Sequence, residues 1–187
     1  MGRVLKSVFV AGVALILAGC ASTPKAAPTM TPEPTPSVAA SLIPTAPPVN
    51  VTDVDPANFA GDFGDYTFRV GEGPTWCTIN DIGKFAICEQ SEADANYAPI
   101  PAPASCEFSY GYQVKLFATD PTDGSKDADF TCSGGAYADP TTASVLNSGE
   151  RISLDGISCF VQGTAARCEN SAGKYIVLGP DVWAIGD

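Results

Sequence analysis

The sequence predicts an all-β domain with a minor α part: a small, disulfide-stapled sheet or barrel-like unit built from two related hairpin halves. Three observations carry that expectation. Apolar and polar residues alternate along several short stretches, the period of a strand with one buried face. Gly83, Ala86, Cys88 and Glu89 recur in the same order and spacing as Gly163, Ala166, Cys168 and Glu169, so the chain contains a repeat. Seven cysteines occur in 187 residues, and those after Cys20 are even in number, as in a disulfide framework.

The elements follow in order. Residues 66–70 alternate and read as a strand entering the first hairpin. Cys77 and Cys88 flank a Gly83 turn, and Cys159 and Cys168 flank a Gly163 turn, so each copy of the repeat reads strand, turn, strand. Between them, Phe108, Tyr110, Tyr112, Val114 and Leu116 alternate with polar or small residues and predict a long strand with one buried face. Residues 120–127, with Asp123-Gly124, make a turn, and 128–132 return. Asp139 is a helix N-cap and Pro140 a favourable first helical residue, so 141–147 are expected to form a short helix stopped near Gly149. Ile152 leads into the second hairpin. Residues 175–178 are a compact apolar strand halted by Gly179-Pro180, and 182–185 a short edge strand.

Spacing alone permits 15 pairings of the cysteines that follow Cys20. The repeat narrows them. Opposed residues of a non-hydrogen-bonded antiparallel pair lie about 4.5 Å apart at Cα, within the reach of a disulfide. Each hairpin therefore closes on itself, Cys77 with Cys88 and Cys159 with Cys168. Cys106 and Cys132 pair by elimination. A zinc site is disfavoured, because no Cys-x-x-Cys knuckle occurs.

The N-terminal third sets the expected location. Arg3 and Lys6 precede an apolar run over residues 8–17, which ends in Leu17-Ala18-Gly19-Cys20. A charged head, a short apolar stretch and small residues at a cut site form a secretory signal, too short to span a bilayer. The last four residues resemble a bacterial lipobox, and the resemblance implies that 1–19 are removed and that Cys20 carries a diacylglycerol on its sulfur, usually with a further acyl group on its amine. Several acyl chains hold a protein firmly where one holds it only marginally. Residues 20–52 then form the lipidated end and a tether. Pro24, Pro28, Pro32, Pro34, Pro36, Pro44, Pro47 and Pro48 block helix and sheet there, leaving an extended spacer. Residues 53–187 are expected to be the extracytoplasmic domain, held at the outer face of the cell membrane.

Composition excludes several classes. The chain carries 10 basic against 21 acidic residues, a balance that repels nucleic acid. There is no histidine, which removes Ser-His-Asp and Cys-His catalysis and histidine metal sites. No phosphate loop or dinucleotide fingerprint occurs, and no cofactor is called for.

The cysteine order and the residues around it resemble an uncharacterised family of secreted and lipid-anchored actinobacterial domains. The resemblance runs over residues 68–89, the Cys106–Cys132 segment, Val145-Leu146 to Cys159, Arg167-Cys168-Glu169-Asn170 and Gly173 to Leu178. It implies no activity and supplies no site residues.

Three site candidates remain. Asp120, Asp123, Asp127 and Asp129 surround Gly124 and could together ligate calcium, although Thr122 and Gly124 stand where an EF-hand loop carries carboxylates. Glu89, Glu92 and Asp94 are the carboxylates that a cell-wall glycan hydrolase would need. Trp76 and Trp183 are candidates for an aromatic binding platform. The expected function is non-catalytic: a membrane-anchored binding or scaffolding domain whose partner is an envelope protein or a cell-wall glycan. A carboxylate-dependent glycan hydrolase is the alternative.

Overall fold

The computed structural model describes Ile43, Pro44 and residues 50–186. Its strands are β1 (Thr52–Asp53), β2 (Asp65–Val70), β3 (Trp76–Asn80), β4 (Phe85–Glu89), β5 (Gln113–Phe117), β6 (Ala128–Phe130), β7 (Ser144–Leu146), β8 (Glu150–Leu154), β9 (Ile157–Gln162), β10 (Ala165–Asn170), β11 (Tyr175–Gly179) and β12 (Val182–Gly186). They form two six-stranded sheets, sheet A in the order β1-β8-β9-β10-β11-β12 and sheet B in the order β6-β5-β4-β3-β2-β7. The domain is all-β and built from two related halves, as expected. Its architecture is a pair of facing sheets rather than one sheet or a barrel.

The halves interlock. Each consists of a short leading strand and a five-stranded antiparallel meander: β1 then β2–β6, and β7 then β8–β12. The leading strands are exchanged. β1 lies parallel to β8, with Thr52 opposite Glu150, at the edge of the second half's meander. β7 lies parallel to β2, with Ser144 opposite Phe68, at the edge of the first half's meander. Each half thus covers the first meander strand of the other, an edge otherwise open to wrong pairing.

The repeat sits at the centre of the core. Cys77 pairs with Cys88 across β3–β4 and Cys159 with Cys168 across β9–β10, with Cα atoms 4.1 and 4.0 Å apart. All four cysteines are fully buried. The two bridges meet, with Cys88 Sγ 3.8 Å from Cys168 Sγ. The cysteine separations are 11 and 9 residues, because the first hairpin leaves residues 81–84 unpaired and the second only 163–164. A difference of two residues keeps every side chain on its face, whereas a difference of one would turn the cysteines out of the core. Phe68, Ile79, Leu116, Ile152, Ile176 and Leu178 fill the space around the sulfurs. The third bridge, Cys106–Cys132, joins two loops outside this core.

Two local expectations are corrected. Residues 141–147 are not a helix. Asp139 does cap Thr141 N, and Pro140 opens a turn of 3-10 helix, but it ends at Thr142 and Ser144–Leu146 enter sheet B as β7. Pairing with β2 supplies backbone partners that a helix of under two turns lacks. Among the described residues there is no α-helix, only 3-10 turns at Pro56–Phe59, Glu92–Asp94 and Pro140–Thr142. The second correction concerns the alternating run from Phe108, of which only Gln113–Phe117 is strand. Gly111 adopts φ +96°, and a Cβ there would come within 3.0 Å of Ile100. The chain turns at that glycine, and Phe108 is left 66% exposed.

Candidate binding cleft

The site arises from a topological requirement. β6 and β7 lie at opposite edges of sheet B, so residues 131–143 must cross from one edge to the other. They do so over the sheet's outer face, the side turned away from the stacked disulfides. Polar partners on that face hold the strap. Gln113 Nε2 approaches Gly135 O at 3.5 Å, Thr131 Oγ1 donates to Gln113 Oε1, and Arg69 Nε donates to Ala143 O at 3.1 Å. The Tyr137 ring meets Phe85 edge-on at 5.5 Å, and its hydroxyl donates to Asp65 at 3.0 Å. Burial first, and then that bond and the Asp65 charge, push the Tyr137 hydroxyl up to about 12.

Glu89 is the fixed point. It is 2% exposed and takes four N–H donors. Gln113 Nε2 (2.6 Å) and Tyr137 N (2.6 Å) reach Oε1; Trp76 Nε1 (3.0 Å) and Ala138 N (3.3 Å) reach Oε2. A carboxylate has about four acceptor positions, so none is left for a substrate. Glu89 therefore ties strap to sheet and sets the orientation of Trp76.

Beside this anchor lies an open cleft of about 430 Å³, lined by Trp76, Glu89, Glu92, Phe108, Tyr112 and Gly134 among others. That volume is in the range of small-ligand sites. Tyr112 stacks on Tyr97 at 6.4 Å, and Tyr97 is locked by donating to Gly111 O at 2.8 Å and accepting from Gln90 Nε2 at 3.0 Å. The Tyr112 hydroxyl is raised from its ordinary range by burial and by the neighbouring Glu92. One wall is thus rigid and hydrogen-bonded. Phe108 also lines the cleft, on a loop stapled by Cys106–Cys132.

No family model, curated protein or solved structure matches the chain.

The expected site residues fare unequally. Trp76 lines the cleft. Trp183 is in the core, 6% exposed and edge-on to Phe130 at 5.2 Å, so the two tryptophans form no common platform. Cys20 lies outside the described residues. Of the acidic turn, Asp127 meets Lys174 at 3.3 Å, Asp129 meets Lys126 at 2.8 Å, and Asp123 accepts from Ser125 N at 2.9 Å; that bond holds the Asp123 carboxyl below its ordinary range. Asp120 joins no convergent group. Among the described residues, the ligand-type atoms that gather within 4.8 Å are those of Cys77, Cys88 and Cys168, all committed to disulfides. The calcium set is therefore not assembled. Glu89, Glu92 and Asp94 also do separate work: Glu89 holds the strap, Glu92 meets Tyr112 and Asp94 accepts from Ser91 Oγ at 2.5 Å. Sequence reasoning missed Phe108 and Tyr112 as cleft residues, because alternation marked both as core. It also missed an apolar tip, Phe63 (87% exposed) beside Ile82 (73%).

Proposed function

We propose that the protein is a lipid-anchored extracytoplasmic lipoprotein of the actinobacterial type. Its domain is a non-catalytic binding module that takes an envelope ligand, a cell-wall glycan or a protein segment, in the cleft at Trp76, Phe108 and Tyr112. The observation that carries this reading is the open aromatic cleft, lined by Trp76, whose indole is hydrogen-bonded to Glu89, by Tyr112, which stacks on Tyr97, and by the exposed Phe108. Rigid aromatics give contact area at small entropic cost. The three bridges support export, since paired cysteines persist outside the reducing cytosol. The saturation of Glu89 supports binding over hydrolysis, because a glycosidase needs two carboxylates free to act on one substrate.

The test is binding of the full chain to a purified envelope fraction. Phe108→Ala and Tyr112→Ala are each expected to weaken binding about tenfold or more, the scale of an aromatic anchor, with an unchanged melting curve for Phe108→Ala. Retained binding in both variants would move the site elsewhere. Glycan release by the wild-type chain would return the hydrolase reading.

A further inference from the structure

We propose that the outer face of sheet A is a docking groove, and that its occupant is this chain's own Ile43–Pro44. That segment is then a strap of the folded domain rather than part of the free spacer. Three observations converge on this.

The first is burial. Strand alternation places Phe160, Ala165, Val177, Val182 and Ala184 on the side of sheet A away from the core cysteines. Facing water, such residues would be exposed. They are 0%, 5%, 0%, 3% and 3% exposed. Four of them, Ala165, Val177, Val182 and Ala184, form one apolar cluster, and Ile43 packs against that cluster.

The second is a polar clamp. Arg167 Nη1 donates to Pro44 O at 3.4 Å. The guanidinium is held for this by Tyr175, over whose ring it lies at 3.5 Å, and by Glu169 at 3.3 Å. The Tyr175 ring in turn occupies the space that a side chain at Gly186 would fill. Proline suits the position, since it has no N–H to leave unpaired.

The third is the repeat. The halves superpose in topology strand for strand, so β1 is the counterpart of β7. What precedes β7 is the strap over sheet B. What precedes β1 is the segment that contains Ile43. Tyr137 rests on Phe85, and Ile43 rests on Ala165, which holds the same place relative to Cys168 as Phe85 does to Cys88. On the outer face of each sheet thus lie residues that precede the strand which that sheet receives from the other half. If Cys20 bears the lipid, the spacer between membrane and domain is residues 21–42.

Limited proteolysis of the full-length chain, with mass mapping of the resistant fragment, tests this. With a protease of broad specificity, the wild-type fragment is expected to begin at or before residue 42. In Ile43→Asp the boundary is expected to move past residue 44, with cleavage beside residues 43 and 44 faster by about tenfold or more, because cutting follows the population of the open form. Ile43→Leu is expected to keep the wild-type boundary. Wild-type cleavage beside residues 43 and 44 as fast as within 25–40 would overturn the proposal, as would an unmoved boundary in Ile43→Asp. Protection that rises with protein concentration would also overturn it, in favour of a second copy as occupant.

Discussion

The outer faces of the two sheets meet the same demand with different chemistry. Sheet B presents Thr67, Thr78, Gln113 and Lys115, and its strap is held by hydrogen bonds that converge on the buried Glu89. Sheet A presents Ala165, Val177, Val182 and Ala184, and there the cover is mainly apolar, with Ile43 packed on the cluster and a single hydrogen bond from Arg167 to Pro44 O. The equivalent glutamates show the contrast. Glu89 is 2% exposed with four donors, whereas Glu169 keeps a 27% exposed side chain and meets Arg167. A hydrogen-bonded cover is directional and leaves gaps, and one of those gaps is the aromatic cleft. An apolar cover closes over the surface beneath it. Sheet A also carries an open hollow, at Ser153, Ser158 and Glu169, but without an aromatic lining.

The largest expected effect strikes both faces together. Replacing either core bridge by alanines removes a cross-link and empties the contact between the two bridges. Each replacement is expected to cost about 4–5 kcal/mol in denaturant unfolding. Replacing Cys106–Cys132 is expected to cost about 3 kcal/mol, although it closes the longer loop of 26 residues. The reverse order would show that loop entropy outweighs the stacked core.

Next, the two glutamates are separable. Glu89→Gln puts an NH2 group where only donors arrive, and is expected to cost about 2–3 kcal/mol, the penalty of unpaired buried groups. Glu169→Gln is expected to cost under about 1 kcal/mol, as for a partly exposed ion pair. Equal costs would remove the contrast between the faces.

Tyr137 sharpens it further through pH. Its folded value of about 12 lies above the ordinary 10.0. The unfolded chain therefore loses this proton first as pH rises. The stability contributed is complete below pH 10 and is lost between about 10 and 12. Tyr137→Phe is expected to flatten that alkaline decline and to remove the corresponding step from the phenolate absorbance titration. An unchanged decline would place the strap's strength elsewhere.

The smallest effect is at the edge of sheet A. Arg151 donates to Asp53 at 2.6 and 2.9 Å, in an exposed pair that holds the Asp53 carboxyl below its ordinary range. Arg151→Ala is expected to leave the unfolding midpoint unmoved within error, because β1 is held to β8 by backbone bonds.

Much of the scaffold was legible because its signals are local. The glycine turns and cysteines of each hairpin lie within a dozen residues, so strands, faces and bridges could be read together. The exchange of leading strands was not legible. Thr52–Asp53 and Ser144–Leu146 are too short to show a period, and their pairing is decided by distant edges. Asp139-Pro140 carried a true cap signal, but sheet pairing overrode the helix it announced. The cleft was half legible. Trp76 stood out as an aromatic, whereas Phe108 alternated like a core residue until Gly111 turned the chain. Glu89 read as a candidate hydrolase carboxylate rather than an anchor, because its strap donors come from 48 and 49 residues away.

The two tryptophans provide the most direct test of the central claim, that ligand enters on sheet B beside Glu89. Each gives one indole N–H signal in a proton–nitrogen spectrum. On addition of solubilised envelope ligand, the Trp76 signal, bonded to Glu89, is predicted to shift in a saturable way, while that of Trp183 stays in place. A saturable shift of Trp183 with Trp76 unmoved would contradict the assignment.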